Sequence, residues 1–136
     1  MLIHAGAPIR EETKRKTIEL FPEDSVWEFY GSTEGQATRI STAEWLRKPG
    51  SVGRPRKGAE VFVTDEMGTV LAPGKVGTVW VKDPRIERFQ YWRDRPKTRR
   101  TWKAGAFTVG DLGYLDEDGY LFLAGRAFDT IITGGV

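Results

Sequence analysis

The chain has 136 residues, long enough for one domain with its own core, and its 39% hydrophobic and 29% charged content is that of an ordinary globular sequence. No apolar run approaches the length that spans a bilayer, and the first residues lack the basic flank and apolar length of a signal peptide. A formal charge of +2 is too mild to argue for nucleic acid, and the absence of cysteine excludes disulfides and thiolate chemistry and fits a reducing, cytoplasmic setting.

In chain order, Leu2-Ile3-His4 is a short apolar run closing at Ala5-Gly6-Ala7-Pro8. Pro8 suits a first helical position, where its missing N–H would be unpaired in any case. A surface helix is expected over residues 9–21, with Glu11 and Glu12 early and Lys14, Arg15 and Lys16 later, an order that suits the helix dipole. Ile9, Thr13, Thr17 and Leu20 form its expected inward stripe, and Pro22 ends it. Val26-Trp27-Glu28-Phe29-Tyr30 alternates as a half-buried strand, then breaks into the polar loop Gly31-Ser32-Thr33-Glu34-Gly35. Strand, helix, strand is the pattern of an α/β layer with parallel strands. Two strands and one helix do not make a stable sheet, so this unit reads as the end of a larger one. A connecting segment follows.

From Pro49 onward, glycines and prolines punctuate short β-type runs, chiefly Glu60-Val61-Phe62-Val63-Thr64 and Gly77-Thr78-Val79-Trp80-Val81. The pattern predicts a small antiparallel sheet or distorted barrel, with a hairpin turn at Asp65-Glu66-Met67-Gly68 and a stronger one at Asp116-Glu117-Asp118-Gly119. Residues 85–103 are basic and aromatic; the plainer reading is a helix and loop with Tyr91 and Trp92 packed and the arginines solvated. His4, the one histidine, is read as structural. The apolar run Thr130-Ile131-Ile132-Thr133 before Gly134-Gly135-Val136 reads as a strand cut short.

Four short motifs carry chemistry: Gly6-Ala7-Pro8, Tyr30-Gly31-Ser32-Thr33-Glu34, Gly110-Asp111 and Gly125-Arg126. Singly, each has a plain structural reading: the start of a helix, a polar loop, an Asx turn, a bend with a solvated charge. Together, in this order, they closely resemble the adenylate-forming superfamily of acyl-CoA synthetases, adenylation domains and luciferases. Residues 107–121, Phe-Thr-Val-Gly-Asp-Leu-Gly-Tyr-Leu-Asp-Glu-Asp-Gly-Tyr-Leu, resemble its bacterial acyl-CoA ligase branch. The resemblance runs from Ile3 to Val136 and is to a central segment of such an enzyme.

That resemblance implies a division into residues 1–48, the remnant of an α/β subdomain, 49–125, a β-rich subdomain, and 126–136, a hinge and the start of a small further domain. It implies that Tyr30 lays its ring on adenine, that Gly6, Ala7 and Pro8 line the other side, and that Gly31 and Ser32 complete the loop. Thr33 would offer a hydroxyl to phosphate oxygens, and Glu34 would hold Mg²⁺; these two are the expected catalytic residues. Asp111 would accept from the ribose hydroxyls, and Arg126 would reach ribose and phosphate. The implied reaction joins a fatty or aryl carboxylic acid to AMP from ATP, then passes the acyl group to CoA, placing the chain in fatty acid metabolism. Phe128 stands where the family commonly has Asp or Lys at its hinge, and Asp129 matches the acidic residue that follows. The family's phosphate loop and the lysine of its small domain find no match in this chain, so it is expected to need the missing N- and C-terminal parts of the same enzyme for adenylation. A homo-oligomer is left open. The rival readings are a non-catalytic interaction module and, more remotely, a basic nucleic-acid-binding domain; the resemblance argues against nucleic acid as a partner.

Overall fold

The structure is a computed structural model that describes residues 1–126; the expected hinge residues Phe128 and Asp129 and the run at 130–133 lie outside the described residues. Strand β1 (Leu2–Ala5) is followed by helix α1 (Glu11–Leu20) and strand β2 (Val26–Ser32), which pairs with β1 in parallel from Leu2 opposite Val26 to Ala5 opposite Phe29. The parallel pair is as the alternation of apolar residues predicts.

Helix α1 differs from expectation at its start and on its buried face. It begins at Glu11, with Arg10 extended before it, so Pro8 stands outside the helix. Proline fixes φ at a value shared by helix and extended chain, so it permits a start there without enforcing one. Leu20 is 82% exposed, and the residue that turns inward is Lys14, 1% exposed. Lys14 is drawn in because its ammonium pairs with the Glu28 carboxylate and lies 5.1 Å from the centre of the buried Trp45 ring. A charge with a partner can occupy the inner face that the expected stripe of Thr13, Thr17 and Leu20 does not fill.

The segment after Glu34 is no mere connection. Strand β3 (Gly35–Ser41) folds straight back on β2, and helix α2 (Thr42–Arg47) follows at once. The hairpin register slips by one residue between Tyr30 and Gly31, a bulge that turns the loop. Helix α2 starts on a reciprocal capping box: Ser41 accepts from the Glu44 backbone N–H and Glu44 from that of Ser41. Strand β4 (Arg54–Pro55) completes a four-stranded sheet in the order β1-β2-β3-β4.

The second sheet holds β5 (Glu60–Thr64), β6 (Gly77–Lys82), and, after helix α3 (Arg95–Thr101), β7 (Trp102–Lys103), β8 (Ala106–Phe107), β9 (Asp111–Leu115) and β10 (Leu121–Arg126). Its order is β10-β9-β6-β8-β7, with β5 also on β6, and among the described residues it is an open antiparallel sheet that does not close into a barrel. Both predicted turns form. The Gly68 N–H donates to Asp65 O at 3.1 Å, and the Gly119 N–H to Asp116 O at 3.0 Å with Gly119 at φ 77°. In the basic stretch Trp92 is 86% exposed, contrary to the packed position expected for it. The aromatic cluster there is built by Phe89, Trp102 and Phe107 instead, with ring centroids 4.9–5.5 Å apart.

Three apolar clusters hold the layers together: Val52, Val63, Val79 and Leu121; Ala37, Val81 and Phe107; and Ile40, Trp45 and Tyr120. Between them the buried Asp83 carboxylate is gripped by Arg85 Nε at 2.8 Å and Arg56 Nε at 2.8 Å. Hydrogen bonding from Arg85, followed by Arg56, outweighs burial and holds Asp83 well below the ordinary aspartate value of 3.8. Because the folded pKa is the lower one, this stabilisation is fully present above pH 3.8 and drains away as pH falls toward the folded value. Asp83→Asn is therefore expected to lower the denaturant midpoint at neutral pH and to flatten the loss of stability in acid. An unchanged acid limb would show that Asp83 is not its source.

Candidate adenylate site

The β2–β3 hairpin exists because two glycines let it come close to its surroundings. A side chain at Gly31 would stand 2.6 Å from Gly35 O and 2.7 Å from Gln36 Cα, across the bulge of its own hairpin. A side chain at Gly35 would collide with the Ile86 methyl and lie 3.1 Å from Phe107 on the second sheet. Thr33 and Glu34 form the turn between the strands, with Thr33 exposed at the tip. The hairpin is thus seated against the second sheet and holds its polar residues over the gap between the two.

That gap is a cleft of about 1060 Å³. Gly6, Ala7 and Pro8 line it after β1, Tyr30, Gly31, Ser32 and Glu34 from the hairpin, and Asp111 and Arg126 from β9 and β10. Nine of the ten expected site residues therefore share one cavity; Thr33, at the exposed tip, is not among its lining residues. A second cleft, about 460 Å³, lies beside Lys82, Arg88 and Lys103 and contains none of them.

Two carboxylates of the large cleft each accept from a tyrosine hydroxyl. At one, the Tyr30 hydroxyl donates to Asp111 Oδ2 at 2.6 Å and Arg126 Nε donates to Asp111 Oδ1 at 3.1 Å. Burial first, then the Asp111 carboxylate, push the Tyr30 phenol well above its ordinary value of 10, with Arg126 opposing. At the other, the Tyr91 hydroxyl donates to Glu34 Oε1 at 2.7 Å. Partial burial disfavours the charged form of Glu34, but the Tyr91 and Ser32 hydroxyls and the charge of Lys97 outweigh it, so its pKa lies below the usual value.

Tyr91 and Lys97 also line the cleft, and the sequence reading assigned neither a role there. Tyr91 opens the run Tyr-Trp-x-x-x-Pro-x-Thr, the signal that could have marked it. Glu28, two residues before Tyr30 on β2, lines the cleft as well and carries the buried Lys14 pair. Burial lowers the Lys14 pKa, and Glu28 partly restores it. His4 Nε2 approaches the same carboxylate at 3.3 Å without making a hydrogen bond. Nothing in the spacing of α1 singles out Lys14 from the charges around it.

Among the described residues no three His, Cys, Asp or Glu side chains converge on a common metal position. Beside the hairpin turn a hard cation would meet the Glu34 carboxylate, which already accepts from Tyr91. That donor set fits Mg²⁺ carried in by phosphate oxygens and water, not a cage made by the protein alone.

The AMP-binding enzyme family matches residues 1–91, two-thirds of the chain. The chain belongs to that family. It is 36% identical over 133 residues to the 2-succinylbenzoate–CoA ligase of Geobacillus kaustophilus, covering 96% of this chain and 26% of that protein. It is 34% identical to a mitochondrial acyl-coenzyme A synthetase of Rattus norvegicus, over 98% of this chain and 23% of that protein. Its fold superposes on the O-succinylbenzoate coenzyme A synthetase of Bacillus subtilis in complex with AMP with a TM-score of 0.84 at 31% identity, over 98% of this chain and 27% of that one. The chain thus spans about a quarter of the length of the relatives it matches. These relatives are acid–CoA ligases, in keeping with the resemblance read from the four motifs. No helix among the described residues is long and apolar enough to cross a membrane.

The two hairpin glycines should differ in cost. Gly31→Ala meets backbone that cannot move without breaking the hairpin, whereas Gly35→Ala meets the end of an isoleucine side chain that can rotate. Both are expected to destabilise by about 1–3 kcal/mol, Gly31→Ala the more, in urea unfolding; the reverse order would contradict the seating described. Tyr30 gives a second check. Its raised pKa favours the protonated, folded form, so its contribution persists below pH 10 and is lost only as pH climbs through the folded value. Tyr30→Phe should leave the native ultraviolet rise of tyrosine ionisation near pH 10 unchanged; a smaller rise would mean that Tyr30 ionises normally.

Proposed function

We propose that this chain forms the adenosine-binding part of an ATP-dependent acid–CoA ligase. The observation that carries the reading is the single cleft into which four separated stretches bring Gly6-Ala7-Pro8, Tyr30 with Glu34, Asp111 and Arg126. Adenine would lie between the Tyr30 ring and the small residues 6–8, where the absence of bulk lets backbone approach the base. Asp111 has two acceptor oxygens and keeps two of roughly four lone-pair sites after Tyr30 and Arg126 are counted, enough for the paired hydroxyls of ribose. Arg126 would face ribose and the α-phosphate. Gly31, Ser32 and Thr33 would bring backbone and hydroxyl donors to the phosphates. Mg²⁺, held by Glu34 and the phosphates, would supply charge neutralisation there.

In the reaction that follows from this reading, a carboxylate oxygen attacks the α-phosphorus of ATP and the bond to pyrophosphate breaks, giving acyl-AMP. The sulfur of CoA then attacks the acyl carbon and AMP leaves. The relatives' names span succinylbenzoate and long-chain fatty acids, so the substrate class proposed is a carboxylic acid of aryl or fatty type. Nothing in the 136 residues matches the family's glycine- and hydroxyl-rich phosphate loop, so we propose that the isolated chain binds adenosine without completing adenylation.

Titration calorimetry with AMP tests the reading. The chain is expected to bind AMP, and Asp111→Asn, which preserves the shape of the side chain, to weaken binding by at least about tenfold, the worth of a hydrogen bond to a charged acceptor. No heat of binding from the folded wild-type chain would overturn the proposal.

A further inference from the structure

The segment 89–98 is left without a task by the reading above, yet its Tyr91 and Lys97 line the cleft and Tyr91 meets Glu34 there. Tyr91 is held in place at several points. Its backbone N–H donates to Thr98 Oγ1 at 2.9 Å, and that hydroxyl donates on to Asp94 O at 2.9 Å. Asp94 in turn caps α3 through the Lys97 N–H at 2.9 Å, so the first turn of α3 is the mount for Tyr91. The ring meets Phe89 edge-on at 5.7 Å between centroids, and Lys97 Nζ lies 3.9 Å from the ring centre. Only the hydroxyl remains, and it reaches across 57 residues of sequence to Glu34 Oε1.

A phenol fixed in this way orients the carboxylate to which it donates. Glu34 sits in a two-residue turn, where a free glutamate would sample many rotamers. One oxygen is tied to Tyr91, Ser32 also bonds the carboxylate, and further lone pairs remain for another ligand. A neutral donor also leaves the carboxylate its charge, which an arginine or lysine at the same distance would cancel.

Building on the nucleotide reading of the site, we propose that Tyr91 is a positioning residue that holds Glu34 so that its carboxylate meets the divalent cation of the bound nucleotide, with Lys97 clamping the ring. Tyr91 itself touches neither nucleotide nor metal. Its loss should therefore weaken binding of the metal-bearing nucleotide and spare that of AMP, which needs no metal.

The test uses the whole chain, AMP by calorimetry, and Mn²⁺ with ATP by electron paramagnetic resonance of the metal. In Tyr91→Phe the affinity for AMP should stay within about twofold, while Mn²⁺ affinity in the presence of ATP falls by at least about tenfold, the scale of one lost hydrogen bond to a charged group. The same substitution made on Glu34→Gln should add no further loss, since the two residues act as one unit. Thr98→Val, which loosens the mount and keeps the phenol, should show a smaller loss in the same direction, and it carries the test if Tyr91→Phe does not fold. Equal loss of AMP and metal binding, additive losses in the double variant, or a Mn²⁺ response identical to that of the wild type would each overturn the role of Tyr91. A wild-type chain that binds AMP but shows no Mn²⁺ response would overturn it too, whereas failure to bind AMP at all would instead overturn the nucleotide reading.

Discussion

Tyr30 belongs to two sheets at once, and the rest of the molecule depends on how it does so. Its backbone is part of β2, opposite Thr38. Its ring packs against both clusters of the second sheet, the one around Leu121 and the one around Phe107. Its hydroxyl ends on Asp111, the first residue of β9. An apolar ring with a polar tip suits such a position, because the ring stabilises the contact by burial while the hydroxyl, once out of water, needs the partner that Asp111 supplies. The residue that lines the proposed adenine pocket is therefore also a pin between the layers, and the geometry of the cleft cannot change without disturbing the core.

A second set of bonds keeps the pin under constant alignment. The strap 51–53 runs between the sheets: the Val52 N–H donates to Leu121 O at 2.9 Å and the Leu121 N–H donates to Gly53 O at 2.9 Å. Ser51 Oγ donates to the same Leu121 carbonyl, and Thr38 Oγ1 reaches the Val52 carbonyl at 2.6 Å, so the strap is tied to β3 and β10 together. Gly53, at φ 94°, could carry no side chain, since one would strike the Arg39 carbonyl. Lys48 closes the outer end by pairing with Asp116 and Asp118 in the β9–β10 turn. The walls of the cleft are held by backbone bonds at its base and need no ligand to define them.

What the sequence made legible follows from range. The parallel β1–β2 pair, the turns at 65–68 and 116–119, and strands β5 and β6 all rest on local alternation and turn chemistry, and they form where expected. The gathering of distant motifs into one cleft was legible only through the resemblance, since no spacing rule brings Gly6 to Arg126. The misses have physical causes. Strand β3, Gly-Gln-Ala-Thr-Arg-Ile-Ser, has too few apolar residues to alternate visibly, and its burial comes from Ala37, Thr38 and Ile40. The capping box Ser41-Thr42-Ala43-Glu44 was a readable signal that the connecting segment concealed. Lys14 was placed on the wrong side because its partner, Glu28, lies 14 positions away, beyond any pattern of helix charge. Trp92 is expected inside as part of a packed helix and loop, but the aromatic cluster is built by Phe89, Trp102 and Phe107, and Trp92 stays exposed.

Two carboxylates of the cleft, Asp111 and Glu34, are held alike and differ in what else touches them, and that difference separates their tasks under the proposed reading. Each accepts from a tyrosine hydroxyl, Asp111 from Tyr30 and Glu34 from Tyr91, so each is oriented by a donor that leaves its charge intact. Asp111 also carries the Arg126 guanidinium at 3.1 Å, which neutralises it. A neutralised carboxylate with spare lone pairs suits hydroxyl groups and would hold a metal poorly. At Glu34 the nearby cation, Lys97, lies over the Tyr91 ring and acts on the carboxylate only through space, which leaves Glu34 an anion. That is the requirement of a cation arriving with phosphates, which already bring most of its ligands. Under the proposed reading, sugar at Asp111 and phosphate at Glu34 follow from which carboxylate has an arginine beside it.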